Sequence, residues 1–242
     1  MDLYGAELSE VGRRVPRVSR LGDAVRAGLE RAADPRKAPE MQRYMKSEMP
    51  YRGVAKPERA ALTKELFAEH VMSDVDELVA TTLELWRGAE FREERYVAVD
   101  LTGDRRYRAW QNSDLMPLYD EMIVTGAWWD YVDEVAIRRV GPILQAEPEV
   151  MTPMMLEWSA DADLWRRRTS IICQVGARTD VDTDLLTRTI EANIADKDFF
   201  LRKGIGWALR QHSKMDAAWV RAFVDAHPDL SPLSRREARK YL

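Results

Sequence analysis

WWDYVDEVAIRRV, from Trp128 to Val140, carries its apolar side chains at three- and four-residue spacing, without the alternation of a strand. At 100° per residue Trp128, Val132, Val135 and Ala136 fall on one helix face, and Asp130, Glu134 and Arg138 lie opposite. Trp129 and Asp133, one helical turn apart, share the shoulder between these faces, with Val140 beside Asp133. A carboxylate on that shoulder is partly desolvated and faces an indole. The same pattern also suits a surface Asp that caps or pairs with an arginine.

Two later stretches have the same character. In LWRRRTSIICQV (Leu164–Val175) the apolar face is Leu164, Trp165, Ile171, Ile172 and Val175; Arg166 and Arg167 fall off it, but Arg168 lies near its centre. A guanidinium is almost never buried without a partner. Arg168 therefore either meets an internal carboxylate or points into a groove toward an anion. In FFLRKGIGWALRQH (Phe199–His212) Lys203 and Arg210 share a stripe with Trp207 at its edge. Gly204 and Gly206, each unfavourable by about 1 kcal/mol inside a helix, would let another backbone or a nucleic-acid strand come close. Indoles beside cations suit a sugar–phosphate chain, and equally a core Trp beside solvated charges.

Trp129, Arg168 and Trp207 recur every 39 residues. A period near 40 is that of HEAT-like helical repeats. The rest of the chain agrees: hairpin and strand signals are absent, and breakers punctuate short helical runs. Pro57 opens Glu58–His70; Asp74 with Glu77 opens a helix bearing Leu78, Leu85 and Trp86; Ser113 precedes Leu115–Val124, which Thr125-Gly126 ends. Gly141-Pro142 ends Trp128–Val140, Asp163 and Gly176 bracket Leu164–Val175, and Asp182 or Thr183 opens Leu185–Ile194. Ser234 with Glu237 reads as a capping box for the last helix. About a dozen short helices result, so the expectation is an all-α, HEAT-like helical-repeat solenoid. No linker divides it, which gives one domain over 1–242, the segment before about Val18 forming a loosely held N-terminal cap.

The chain has 242 residues, 45% hydrophobic and 32% charged, a globular composition. It lacks a run of about 18 apolar residues, which excludes a membrane-spanning helix, and its first residues lack a secretory pattern. The single cysteine, Cys173, reads as a small core thiol rather than a nucleophile. These features imply a cytoplasmic protein, taken to be a monomer. His70, His212 and His227 have no metal-ligand spacing, and no phosphate-cradling glycine loop or GxSxG elbow occurs; no metal or cofactor is implied. The net charge of −4 argues against a DNA-coating protein. A local basic groove remains compatible with it, because charges act within about a Debye length. Arg105, Arg106, Arg108, Arg138-Arg139, Arg202, Lys214, Arg235-Arg236 and Arg239-Lys240 fit such a groove, with acidic residues concentrated elsewhere at Asp74–Glu77 and Asp180–Asp184.

Five blocks together resemble the AlkD family of alkylpurine DNA glycosylases: YMKSEMPYRGVAKPER (Tyr44–Arg59), AWWDYVDEVA (Ala127–Ala136), WRRRTSII (Trp165–Ile172), DKDFFLRKGIGWALRQHSK (Asp196–Lys214) and LSPLSRREA (Leu230–Ala238). The resemblance covers roughly Ala38 to the C-terminus; the first ~35 residues and the loop Arg105–Gln111 depart from it. It implies helical repeats wrapped around duplex DNA with a concave binding face. It also implies a catalytic Trp and Asp on one helix, an Arg on the next repeat and a second Trp on the one after. The matching positions are Trp129, Asp133, Arg168 and Trp207, with Tyr44 at an aromatic position near the same cleft. Asp133 is the carboxylate that non-catalytic relatives lack. The activity implied is hydrolysis of the N-glycosidic bond of cationic N3- or N7-alkylated purines in duplex DNA, bulky adducts among them, with the damaged base attacked while still stacked. On that reading Asp133, Trp129 and Trp207 are catalytic, and Arg168, Tyr44, Lys203 and Arg210 contact DNA, Arg168 through a phosphate. A cationic base leaves neutral and needs no general acid, which fits a cluster with no histidine and no second carboxylate. Two other readings stay open: a catalytically silent binder of DNA structure, and a HEAT-type protein-interaction scaffold.

Overall fold

A computed structural model describes residues 19–242; the N-terminal cap expected before Val18 lies outside the described residues. The described residues are helical, with no strand among them, and they cluster into two compact units, the first ending at Leu101 and the second running from Thr102 to Leu242.

The first unit contains α1 (Arg20–Arg31), α2 (Ala38–Met45), α3 (Lys56–Glu69), α4 (Val75–Arg87) and all but the last residue of α5 (Arg92–Thr102). Helix α1 packs on α3 and α4, burying Leu21, Val25, Leu29, Leu66, Phe67, Leu78, Leu85 and Trp86. Asp74 caps α4 by accepting from the Glu77 N–H, as the sequence pattern requires. The buried Glu93 carboxylate accepts from the backbone N–H groups of Arg52, Gly53 and Val54 and so fixes the turn before α3. Gly53 sits there at φ 85°, where a Cβ would stand 2.1 Å from the Asp34 carbonyl oxygen; only glycine fits.

The second unit is a stack of helical hairpins: α6 (Met116–Gly126) with α7 (Trp129–Val135), α9 (Pro148–Ser159) with α10 (Leu164–Ile172), α11 (Thr183–Glu191) with α12 (Phe199–His212), and α13 (Ala217–Ala226) with α14 (Pro232–Ala238). Asp163, Asp182, Asp198 and Asp216 each cap the helix that follows. The second helices pack in succession, α7 on α10, α10 on α12 and α12 on α14, while α9 packs on α11. This layering explains the 39-residue recurrence: Trp129, Arg168 and Trp207 occupy the same member of successive hairpins. Ile171, Ile172, Leu186, Ile190, Leu201, Ile205, Leu209, Val220 and Val224 fill the core between the layers.

Two expectations about local structure are corrected. The helix begun at Trp129 does not stop at Gly141-Pro142. It widens into a π-helical turn, Ala136–Val140, and continues as α8 (Gly141–Ala146). Pro142 is tolerated because it lies in the first turn of α8. Gly141 is required because a Cβ would stand 2.2 Å from the Cys173 carbonyl oxygen. At the C-terminus the cap of α14 is Ser231, which accepts from the Ser234 N–H, rather than a Ser234–Glu237 box. The Glu237 side chain is engaged elsewhere.

Candidate functional site

Helix α7 presents Asp133 to α10, where Arg168 meets it face to face. Nε and Nη2 of Arg168 donate to the two carboxylate oxygens of Asp133, each at 2.8 Å, and Nη1 donates to the Phe200 carbonyl. The Arg168 side chain is 4% exposed and that of Asp133 15%. Bidentate pairing of this kind fixes the orientation of both groups. Burial pushes the Asp133 carboxyl above its ordinary pKa; the hydrogen bonds and charge of Arg168 oppose that rise, and the charge of Asp130 adds to it. Of the two alternatives open for Arg168, the structure takes the internal carboxylate. The expectation that its guanidinium reaches a phosphate is corrected on this ground, because no open face of the guanidinium is left.

Gly204 makes room for that pair: a Cβ there would lie 3.1 Å from Nη1 of Arg168. Gly206 faces α14, where a Cβ would stand 2.6 Å from the Glu237 Cβ and 2.9 Å from the Ser234 carbonyl oxygen. The two helix-interior glycines therefore serve close approach within the protein, and not of a nucleic-acid strand.

Asp133 opens onto a cleft of about 460 Å³ that Trp129 and Trp207 also line. Two indoles and an oriented carboxylate thus meet at one cavity, drawn from α7 and α12 and braced from α10. Asp130 and Glu134 line the same cleft. They do not project to an opposite, solvated side, and the expectation of a cluster without a second carboxylate is corrected. Trp129, Asp130, Asp133 and Glu134 all lie in α7, ahead of the π-helical turn. At about 100° per residue Asp130 and Glu134 stand only about 60° and 100° around the helix from Asp133, close enough to line one broad cleft with it. Tyr44 lies on α2 in the first unit and is 76% exposed.

The basic residues divide. Lys203 donates to Glu237 at 2.7 Å, and Arg210 is paired with the same carboxylate; the two hold the Glu237 carboxyl below its ordinary range, against its burial. Arg139 is buried and donates to the Thr102 hydroxyl, Arg202 to the Asp196 carbonyl, and Arg235 to the His227 carbonyl. Arg106 is paired with Asp104, and Arg166 with Asp120 and Asp161. Of the basic residues expected in a groove, Arg138 and Lys214 line clefts. Sequence reading missed Arg178, which lines one with them. Cys173 is buried with its thiol pushed up to about 12, the behaviour of a core residue. Among the described residues no helix is long and apolar enough to cross a membrane.

Comparison with known proteins agrees with this architecture. A family model described as "DNA alkylation repair enzyme" matches residues 25–242. A solved structure described as a predicted DNA alkylation repair enzyme from Enterococcus faecalis superimposes with a TM-score of 0.78 and 29% sequence identity, covering 87% of this chain and 96% of that one. Among curated proteins none matches the chain. The helical-hairpin stack and a family match over nearly all of the chain lead to one conclusion: the protein belongs to the DNA alkylation repair enzyme family.

Proposed function

We propose that the protein is a DNA glycosylase that hydrolyses the N-glycosidic bond of N3- and N7-alkylated purines in duplex DNA, with Asp133 as its catalytic carboxylate. The observation that carries this is the cleft in which Asp133, oriented by Arg168, stands with Trp129 and Trp207. Departure of a cationic base leaves a sugar with oxocarbenium character. A fixed anion binds that transition state more tightly than the neutral sugar of the ground state, which lowers the barrier. Asp133 stabilises the developing charge and orients the attacking water toward C1′. The indoles of Trp129 and Trp207 flank the deoxyribose, adding cation–π stabilisation and excluding bulk water. Arg168 acts through Asp133 as a positioning residue: it sets the carboxylate plane and keeps it ionised. Lys203, Arg210 and Tyr44 contribute to DNA contact in this reading, Lys203 and Arg210 by exchanging Glu237 for phosphate.

The test is base release from duplexes carrying N7-methylguanine, N3-methyladenine, a bulky N3-adduct or uracil. Release of the cationic bases and none of uracil supports the assignment. Efficient uracil release would show that Asp130 or Glu134, which line the same cleft, serves as a general acid. Duplex binding with no release of any base would favour the silent DNA binder instead.

A further inference from the structure

Beside the Asp133 cleft lies a second cavity, of about 330 Å³, lined among others by Arg138, Arg178, Lys214, His212, Gln174 and Gln211. The two cavities share Arg138, Val175, Gly176 and Gln211, so they form adjoining compartments. Their charges are opposed. Three carboxylates line the first, whereas three cations and no carboxylate line the second. Among the described residues, neither the Arg138 nor the Arg178 guanidinium has an ion-pair partner, unlike Arg166, Arg167, Arg168 and Arg210 around them. Lys214 donates only to the neutral Gln211 amide, at 2.8 Å, and lies over the Tyr241 ring.

Two further features mark this cavity as built. Arg178 is held at φ 57°, in a tight turn closed by the Asp180 N–H donating to the Ala177 carbonyl. A non-glycine residue in the left-handed region is strained, and such strain concentrates where a side chain must be aimed. His212, on the cavity wall, is 7% exposed, and both of its ring nitrogens are buried without a hydrogen-bond partner. Neither nitrogen is reached from the cavity, so His212, packed edge-on against Trp219, shapes the wall and leaves the arginines as the donors there.

We propose that this cavity is a phosphate subsite that holds the DNA backbone next to the sugar in the Asp133 cleft, with Arg138 and Arg178 as its principal ligands. The proposal rests on the glycosylase reading for the identity of the neighbouring sugar. Unpaired guanidiniums in a carboxylate-free pocket match the geometry and charge of a phosphodiester. Consecutive sugar and phosphate units of one strand then occupy consecutive compartments. Arg138, common to both, separates the anionic chemistry of Asp133 from the anionic backbone it must tolerate.

The test uses the full chain and an undamaged duplex, with affinity measured across a salt series for the wild type, Arg138→Gln, Arg178→Asn and Arg221→Gln. Asn tolerates the left-handed backbone at 178, so charge is lost without added strain. Arg221 is an exposed arginine of α13 that does not line the cavity. Each neutralised phosphate contact contributes about 0.9 to the slope of log affinity against log salt. Each subsite variant should lower that slope by about 0.9 and weaken binding about eightfold at 0.1 M salt, with Arg221→Gln unchanged. In a second duplex carrying a single non-cleavable alkylpurine analogue, replacing the linkage beside that base by a neutral methylphosphonate should weaken the wild type similarly and leave Arg178→Asn almost unaffected. Normal duplex binding with unchanged slopes in both variants would overturn the subsite while leaving the glycosylase reading intact. Failure of the wild type to bind duplex at any salt would overturn both. Binding of inorganic phosphate in the cavity without any change in DNA slope would show a free-anion site and overturn the backbone assignment.

Discussion

Replacing Arg168 by Gln leaves a carboxylate that is only 15% exposed without its bidentate partner. Breaking one side of a buried ion pair costs about 3–5 kcal/mol, because the remaining charge stays desolvated. For a chain of this size each kcal/mol lowers Tm by about 2–4 °C, so Arg168→Gln should melt about 10 °C below the wild type at pH 8. The loss should depend on pH in a definite direction. Burial already raises the Asp133 carboxyl above its ordinary pKa, and Arg168 counteracts the rise; without Arg168 it climbs further. A carboxyl whose pKa is raised by folding binds its proton more tightly in the native state. Its penalty is therefore absent at low pH and grows as pH rises through the folded-state pKa. The difference between Arg168→Gln and wild type should thus shrink as pH falls from 8 toward 5. Adding Asp133→Asn to Arg168→Gln removes the stranded charge, and the double variant should be more stable than Arg168→Gln alone at pH 8, with a coupling of about 2 kcal/mol. The measurement is urea or thermal unfolding of the four proteins at both pH values. Equal losses at pH 5 and pH 8, or additive single losses, would refute the view that the two side chains form one electrostatic unit.

Other substitutions test the surroundings of that unit. Gly206→Ala should lose about 1–3 kcal/mol in urea unfolding, because the new Cβ meets the α14 backbone; Gly204→Ala meets the head of a side chain at 3.1 Å and should lose less, its change in base release exceeding its change in stability. Glu237→Gln frees Lys203 and Arg210 from a shared carboxylate, and its DNA affinity should rise with a steeper salt dependence; unchanged affinity would show that neither cation reaches DNA. Cys173, buried with a thiol pushed up to about 12, should resist thiol reagents at pH 8 in the native protein and react in denaturant. Rapid native labelling would show that the turn following α10 opens locally.

Much of this was legible in the chain itself. The apolar periodicity and the Asp caps at 163 and 182 give the helices, and the 39-residue recurrence gives their layering, because each repeat must place its inward-facing residue on the same member of a hairpin. Asp133, Trp129 and Trp207 reach one cleft for that reason. The partner of Arg168 could not be decided locally: Asp133 is 35 residues away, and pattern alone allows a buried arginine either a carboxylate or a ligand. Asp130 and Glu134 differ from expectation because lying opposite the apolar face of α7 leaves them only about 60° and 100° from Asp133. The width of the cleft they share with it is set by α10 and α12, which the α7 pattern does not contain. Arg178 was missed because a left-handed turn residue has no periodic signature. Glycines 204 and 206 mark close approach, but only the packed structure shows that Arg168 and α14 are what approach.

The central claim is that Asp133 stabilises the transition state of base release. It is tested most directly by single-turnover release of N7-methylguanine with saturating enzyme, comparing Asp133→Asn with wild type and with Glu149→Gln, an exposed carboxylate on α9. Asn keeps the shape and removes the charge. Loss of one such electrostatic partner costs about 3 kcal/mol, or about 100-fold in rate, so release by Asp133→Asn should fall at least that far while DNA affinity holds. Glu149→Gln should match the wild type. A rate for Asp133→Asn within a few-fold of wild type, at full DNA occupancy, would contradict the catalytic role of Asp133.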